Sequence, residues 1–153
     1  MAILLSREAI LSAPAATDEV NIPEWGGTVR VRAPSISTRL KMLEAIDANV
    51  RAHNAWKEDQ EKPEDARETL PRVDIHDQTI INVIFAIVDE NDELMFTMED
   101  YPRFAELDFI TIAALYRATI TLMNRDPLAE KKSSGGAKKR SSSSGSRGIS
   151  GSR

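Results

Sequence analysis

Few residues in this sequence have types and spacings suited to chemistry. Asp74, His76 and Asp77 fall close together, and two carboxylates beside an imidazole are ligands for a divalent ion. His53 and His76 are the only histidines, however, and neither has a ligand-type neighbour at the three- or four-residue spacing of a helical metal site. Asp74 reads better as a helix cap, with His76 and Asp77 decorating a first turn where the dipole favours negative charge. Asp89, Asn91 and Glu93 alternate like calcium-loop ligands, but that loop lacks the central glycine and the bidentate glutamate at its twelfth position. The adjacent carboxylates Glu64 with Asp65 and Glu99 with Asp100 have nothing around them that would bury them and tune them for acid–base work. No serine stands in a nucleophile elbow, and no glycine-rich phosphate loop precedes a lysine and a hydroxyl residue. With no cysteine, thiolate catalysis, disulfides and Cys-based zinc sites are excluded. The expectation is a protein that is not an enzyme and uses no metal or cofactor.

What must be positioned is therefore a surface, and composition says where it lies. The 153 residues are 41% hydrophobic and 29% charged, enough to form the core of one soluble domain. The longest apolar stretch, Val83 to Val88, is far below the roughly 20 residues of a membrane span, and no basic segment precedes Ile3 to Leu5. Neither membrane insertion nor secretion is expected. From residue 131 onward the chain has seven basic residues and no acidic one, so the net charge of −4 leaves −11 on the first 130 residues. An acidic body is a poor partner for nucleic acid. The same terminal stretch has nine serines, five glycines and Ile149 as its sole large apolar residue. It is expected to be disordered. This places a domain over residues 1–130 and a Ser/Gly/Lys-rich basic tail over residues 131–153.

The patterns along that domain predict an α+β, mainly α-helical fold with an N-terminal β-hairpin packed on a small helical domain. Ser6 caps a short helical arm that Pro14 ends. Val20 and Ile22 alternate with polar residues, as do Val29 and Val31, and Pro23 to Thr28 join the two runs. Gly26 and Gly27 are the only glycines of the first 130 residues and are expected to supply positive φ there. Trp25 would fold over the hairpin's end, and Arg30 and Arg32 would face solvent or a partner. Two strands alone are unstable in water, so helices must support them. Ser35 or Ser37 opens a helix over 36–52 with Ile36, Leu40, Leu43, Ile46 and Val50 at three- and four-residue steps. Residues 54–72, broken by Pro63 and Pro71, read as an exposed connection. Asp74 is expected to cap the apolar run Ile80 to Val88, whose length favours helix although its β-branched residues suit a strand. Asp89 to Glu93 form a turn leading to Leu94, Met95 and Phe96. Thr97 and Asp100 mark a capping box, and Asp108 caps a last helix ending before Asn124-Arg125-Asp126-Pro127.

The order of these signals resembles the tail assembly chaperones of long-tailed, siphovirus-like bacteriophages. Two landmarks carry the resemblance: Pro23-Glu24-Trp25-Gly26-Gly27 in the hairpin, and the turn ending in Phe96-Thr97-Met98-Glu99-Asp100. The charged segment 54–72 is longer than that family's pattern. The resemblance implies a protein of the host cell cytoplasm, absent from the mature virion. It would bind the tape measure protein, keep it soluble and promote assembly of tail tube subunits around it. It also implies two products made by ribosomal frameshifting, the longer one recruiting tail tube protein, with this chain as the shorter.

Such a task needs a surface that binds long amphipathic helices without a pocket or chemistry. The candidate partner-binding residues are Leu40 and Leu43 on the 36–52 helix and Leu115 and Ile120 on the last one, while Pro23, Trp25, Gly26 and Gly27 build the hairpin. A homo-oligomer fits the same picture. The alternatives are a nucleic-acid-associated or adaptor protein acting through the basic tail, which has no aromatic residue to stack on bases, and a structural tail component of the virion.

Overall fold

The computed structural model describes residues 2–128. The described residues up to Met123 form one compact unit, and a second begins at Asn124. In the described part of the second, the Leu128 N–H donates to the Asp126 carboxylate at 2.9 Å. The basic tail expected over 131–153 lies outside the described residues.

The first unit is mainly helical with one small antiparallel sheet. Helix α1 (Arg7–Leu11) is capped by Ser6, whose hydroxyl accepts the Ala9 N–H. Strands β1 (Thr17–Ile22) and β2 (Gly27–Arg32) pair in a register that sets Val20 opposite Val29 and Ile22 opposite Gly27. A 3-10 turn, Pro23–Trp25, connects them. The long helix α2 (Ile36–Glu61) follows, capped by Ser35 accepting the Thr38 N–H at 3.0 Å. Helix α3 (Gln78–Ile84) leads into β3 (Ile87–Val88), which adds to the other edge of β2, with Ile87 opposite Val31. Helices α4 (Tyr101–Phe104) and α5 (Phe109–Met123) complete the unit, and α5 packs on α3 and on β1 and β2.

Burial explains this arrangement. β2 is the central strand, and its Val31 has no exposed surface. Around it gather Ile22, Met42, Ile81, Val83, Ile84, Phe104, Ile112 and Leu115. The apolar run of 80–88 satisfies both of its tendencies. Its first half completes a helix turn, with the Phe85 N–H on the Ile81 carbonyl, and its second half is drawn into the sheet, where the Arg32 N–H donates to the Ala86 carbonyl at 2.9 Å. The turn after β3 closes a miniature hairpin in which the Asp89 N–H meets the Glu93 carbonyl and Val88 bridges Leu94. The Thr97–Asp100 capping box and the Asp108 cap of α5 form as the sequence predicts.

Three expectations need correction. Helix α2 does not stop near residue 52 but runs on to Glu61, because nothing before Pro63 interrupts its backbone ladder. The cap of α3 is Asp77, not Asp74: Asp77 accepts the Thr79 N–H at 2.7 Å, whereas Asp74 is exposed and pairs with Arg72. Finally, of the two hairpin glycines only Gly26 uses the left-handed region, at φ 75°, so Gly27 meets no conformational demand there.

The segment after α2 is exposed along much of its length but is tied down. Asp59 is buried in the last turn of α2, and its carboxylate accepts the N–H groups of Glu68 and Leu70 at 2.7 and 3.0 Å. Thr69, between them, has a positive φ of 56°, which turns both N–H groups toward one anion. Further along, the Asn49 side chain donates to the Asp74 carbonyl and accepts the His76 N–H. His53 Nδ1 lies 2.6 Å from the Val73 carbonyl, and the Tyr101 hydroxyl accepts the Asp77 N–H. This polar seam fastens the strap to α2 with little apolar burial of its own.

Candidate partner-binding site

Helix α2 has two apolar faces. Thr38, Met42, Ala45, Ile46 and Asn49 form the face turned inward, with Met42 in the core. Nearly opposite, Ile36, Leu40, Leu43 and Val50 form an exposed row. With Asp47 their spacing is four, three, four and three residues, the repeat of a coiled-coil seam. At 1.5 Å per residue the row is about 21 Å long, close to four turns of a facing helix. Asp47 is the one charge in the row, and Arg51 neutralises it at 2.9 Å across one turn. Leu40 is 58% exposed and Leu43 49% exposed.

The candidates on α5 are less exposed than those on α2. Leu115 is fully buried among Val31, Ile81 and Ile84, and Ile120 is partly buried. Leu115 belongs to the side of α5 that packs on the sheet and α3, since a helix carrying so many apolar residues turns most of them inward. The exposed apolar residues near α5 are instead Leu107, Phe109 and Ile110, at its start. Sequence reasoning missed them, although three large apolar residues flanking the Asp108 cap were the available signal.

The hairpin residues build a turn and one wall of a groove. The Gly26 N–H donates to the Pro23 carbonyl at 3.0 Å. Trp25 is 41% exposed and lines the groove with Val29, Met95 and Phe96 rather than closing over the hairpin's end. Arg30 and Arg32 are engaged within the domain. Arg30 is bound to Asp92 at 2.7 Å and to Glu19 at 3.3 Å, and Arg32 donates to the Asp92 carbonyl. The hydrogen bond from Arg30 holds the Asp92 carboxyl below the usual carboxylate range and raises the guanidinium in return. Asp92 accepts a positive φ of 63° to make these contacts.

The groups first weighed for chemistry have structural duties. Asp89 accepts the N–H groups of Asn91 and Glu93 and so shapes its own turn. His76 stacks on Tyr101 with ring centroids 3.9 Å apart; its Nδ1 is buried without a hydrogen-bond partner, and burial pushes its pKa down. Hydrogen bonds from Glu68 and Leu70 likewise hold Asp59 below the usual carboxylate range. Among the described residues no three His, Cys, Asp or Glu side chains gather as a metal site, and no helix is long and apolar enough to cross a membrane.

The class defined by these features is a small helix-rich α+β domain that exposes an apolar seam on its longest helix. Residues 6–133 match the family described as phage tail assembly chaperone, and the chain belongs to that family. A solved structure similar to it is that of the bacteriophage HK97 tail assembly chaperone, at 16% identity and a TM-score of 0.45, covering 78% of this chain and 94% of that one. No match was found among curated proteins.

Proposed function

We propose that this chain is a non-enzymatic chaperone that binds the tape measure protein in the host cytoplasm, keeps it soluble and promotes tail tube assembly, without remaining in the virion. The observation that carries the reading is the exposed row Ile36, Leu40, Leu43 and Val50, set opposite the packed face of α2. A protein that spans a tail as long helices has apolar stripes of the same repeat, and a second helix laid along α2 shields such a stripe from water. Release must follow as tube subunits arrive. A row of four aliphatic residues suits that need, since it offers far less apolar area than a permanent interface. Asp47 within the row favours partner helices that place a polar or basic residue opposite it, which sets register. Tail tube protein is recruited through a longer form of the chain.

Co-expression tests this directly. Tape measure protein made with the full chain is expected in the soluble fraction and should copurify with it, whereas alone it should aggregate. Equal solubility with and without the chain, and no copurification, would refute the proposal.

A further inference from the structure

A groove of about 480 Å³ runs between α2 and residues 94–98, beside the outer row of α2. Ala45, Phe85, Leu94, Phe96 and Met98 line it. Leu94, Phe96 and Met98 are half-buried at alternate positions, and Phe96 is braced edge-to-face on Phe104 with ring centroids 4.8 Å apart. Ala45, the smallest of the lining side chains, leaves the space open. The volume is in the range of about 300–1,000 Å³ typical of clefts that enclose a ligand.

The rim of this groove carries two charges without protein partners. Lys41 and Glu44 stand three positions apart on α2 and are both exposed, and neither side chain has an ion pair or hydrogen bond among the described residues. Asp47, one turn further on, is by contrast neutralised by Arg51. At 3.6 residues per turn, Glu44 lies about 40° and Lys41 about 100° round the helix from Leu40. The groove therefore begins at the edge of the outer row, and a helix laid along Leu40 and Leu43 carries the side chains of its flank over it.

We propose that the groove takes a tyrosine side chain from the flank of the helix that lies on the outer row, which rests on the reading of that row as the partner surface. Phe85 and Phe96 offer ring contacts to an aromatic side chain, and the Met98 sulfur is a further favourable neighbour for one. The rim then selects among aromatic residues. A phenolic hydroxyl both donates and accepts, so it donates to the Glu44 carboxylate and accepts from the Lys41 ammonium. An indole N–H only donates and leaves Lys41 unmatched, and phenylalanine leaves both charges unmatched. A ring with only two side-chain torsions also loses little conformational freedom when it is seated. The outer row alone accepts any aliphatic stripe of the right repeat, so this groove is where one helical segment is told from another.

The test uses the full chain and labelled helical peptides of about 18 residues, enough to cover the row. Each carries leucines at the four-three repeat, with tyrosine, phenylalanine or alanine placed in turn at every position beside that stripe, and affinities are read by fluorescence anisotropy. At one position tyrosine should bind at least tenfold tighter than alanine, with phenylalanine between them. The double variant Lys41→Ala/Glu44→Ala should bring the tyrosine peptide down to the phenylalanine one. Ala45→Phe, which fills the groove, should abolish the advantage of both rings and leave the alanine peptide bound as before. Lys41 and Glu44 are exposed, so their double variant decides the matter even where Ala45→Phe disturbs packing. Equal binding of tyrosine and alanine peptides at every position would overturn the proposal and leave the outer row standing. So would a tyrosine advantage over phenylalanine that survives the double variant. Failure of every peptide to bind would refute the outer row itself, and the tyrosine site with it.

Discussion

Leu40 and Met42 stand two positions apart in α2 and face opposite sides of it: Met42 is 7% exposed and packs in the core, while Leu40 is 58% exposed. Truncating each should separate the two faces. Met42→Ala is expected to lower unfolding stability by about 2–5 kcal/mol, the range for deleting a buried aliphatic chain. Leu40→Ala should stay within about 0.5 kcal/mol of wild type. Urea denaturation of the purified chain measures both.

Leu115 and Leu43 form a second such pair across two helices. Leu115→Ala opens a cavity in the fully buried centre and should cost about 2–5 kcal/mol, whereas Leu43→Ala should be close to neutral for folding. A loss of partner binding by Leu115→Ala with stability intact would contradict the assignment of Leu115 to the core.

The two glycines of the hairpin turn differ in the same way. Gly26→Ala places a side chain at φ 75°, and the left-handed region costs about 1–2 kcal/mol for a residue with a Cβ. Gly27→Ala meets no atom within 4 Å and no such φ, so it should be neutral or stabilising by a few tenths to about 1 kcal/mol. Thermal melts of the two single variants decide this.

Acid should loosen the polar seam before it unfolds the core. The Asp59 carboxyl is held low by the N–H groups of Glu68 and Leu70, so its contribution is complete above the unfolded carboxylate pKa of about 3.9 and is lost as pH falls through the lower folded value. His76 acts in a higher window. Burial depresses its folded pKa, so its contribution is complete above about 6.5 and is lost as pH falls from there toward the folded value. His76→Phe, which keeps the stack on Tyr101, should flatten the stability profile in that upper window. Asp59→Ala should strip hydrogen-exchange protection from the Glu68 and Leu70 amides while leaving that of Val83 in place.

Legibility in the sequence followed the range of the interaction. Ser6, Ser35, Thr97 and Asp108 cap groups two or three residues away, and Val20, Ile22, Val29 and Val31 alternate locally, so caps and hairpin could be read directly. The Asp59 clamp reaches nine and eleven residues forward, and the Asn49 contacts reach twenty-five and twenty-seven. Such contacts leave no periodic trace, which is why 54–72 reads as a loose connection. The exposed apolar residues were only partly legible for the same reason. Periodicity identifies an apolar row but not the side from which the rest of the protein covers it, and only packing separates Leu40 from Leu115.

The most direct test is capture of co-expressed tape measure protein by the full chain carrying both Leu40→Asp and Leu43→Asp. Circular dichroism and the melting transition should match wild type, because neither residue contributes to the core. Capture is expected to fall at least tenfold. Undiminished capture by that folded variant would contradict the assignment of the outer row of α2 as the partner-binding surface.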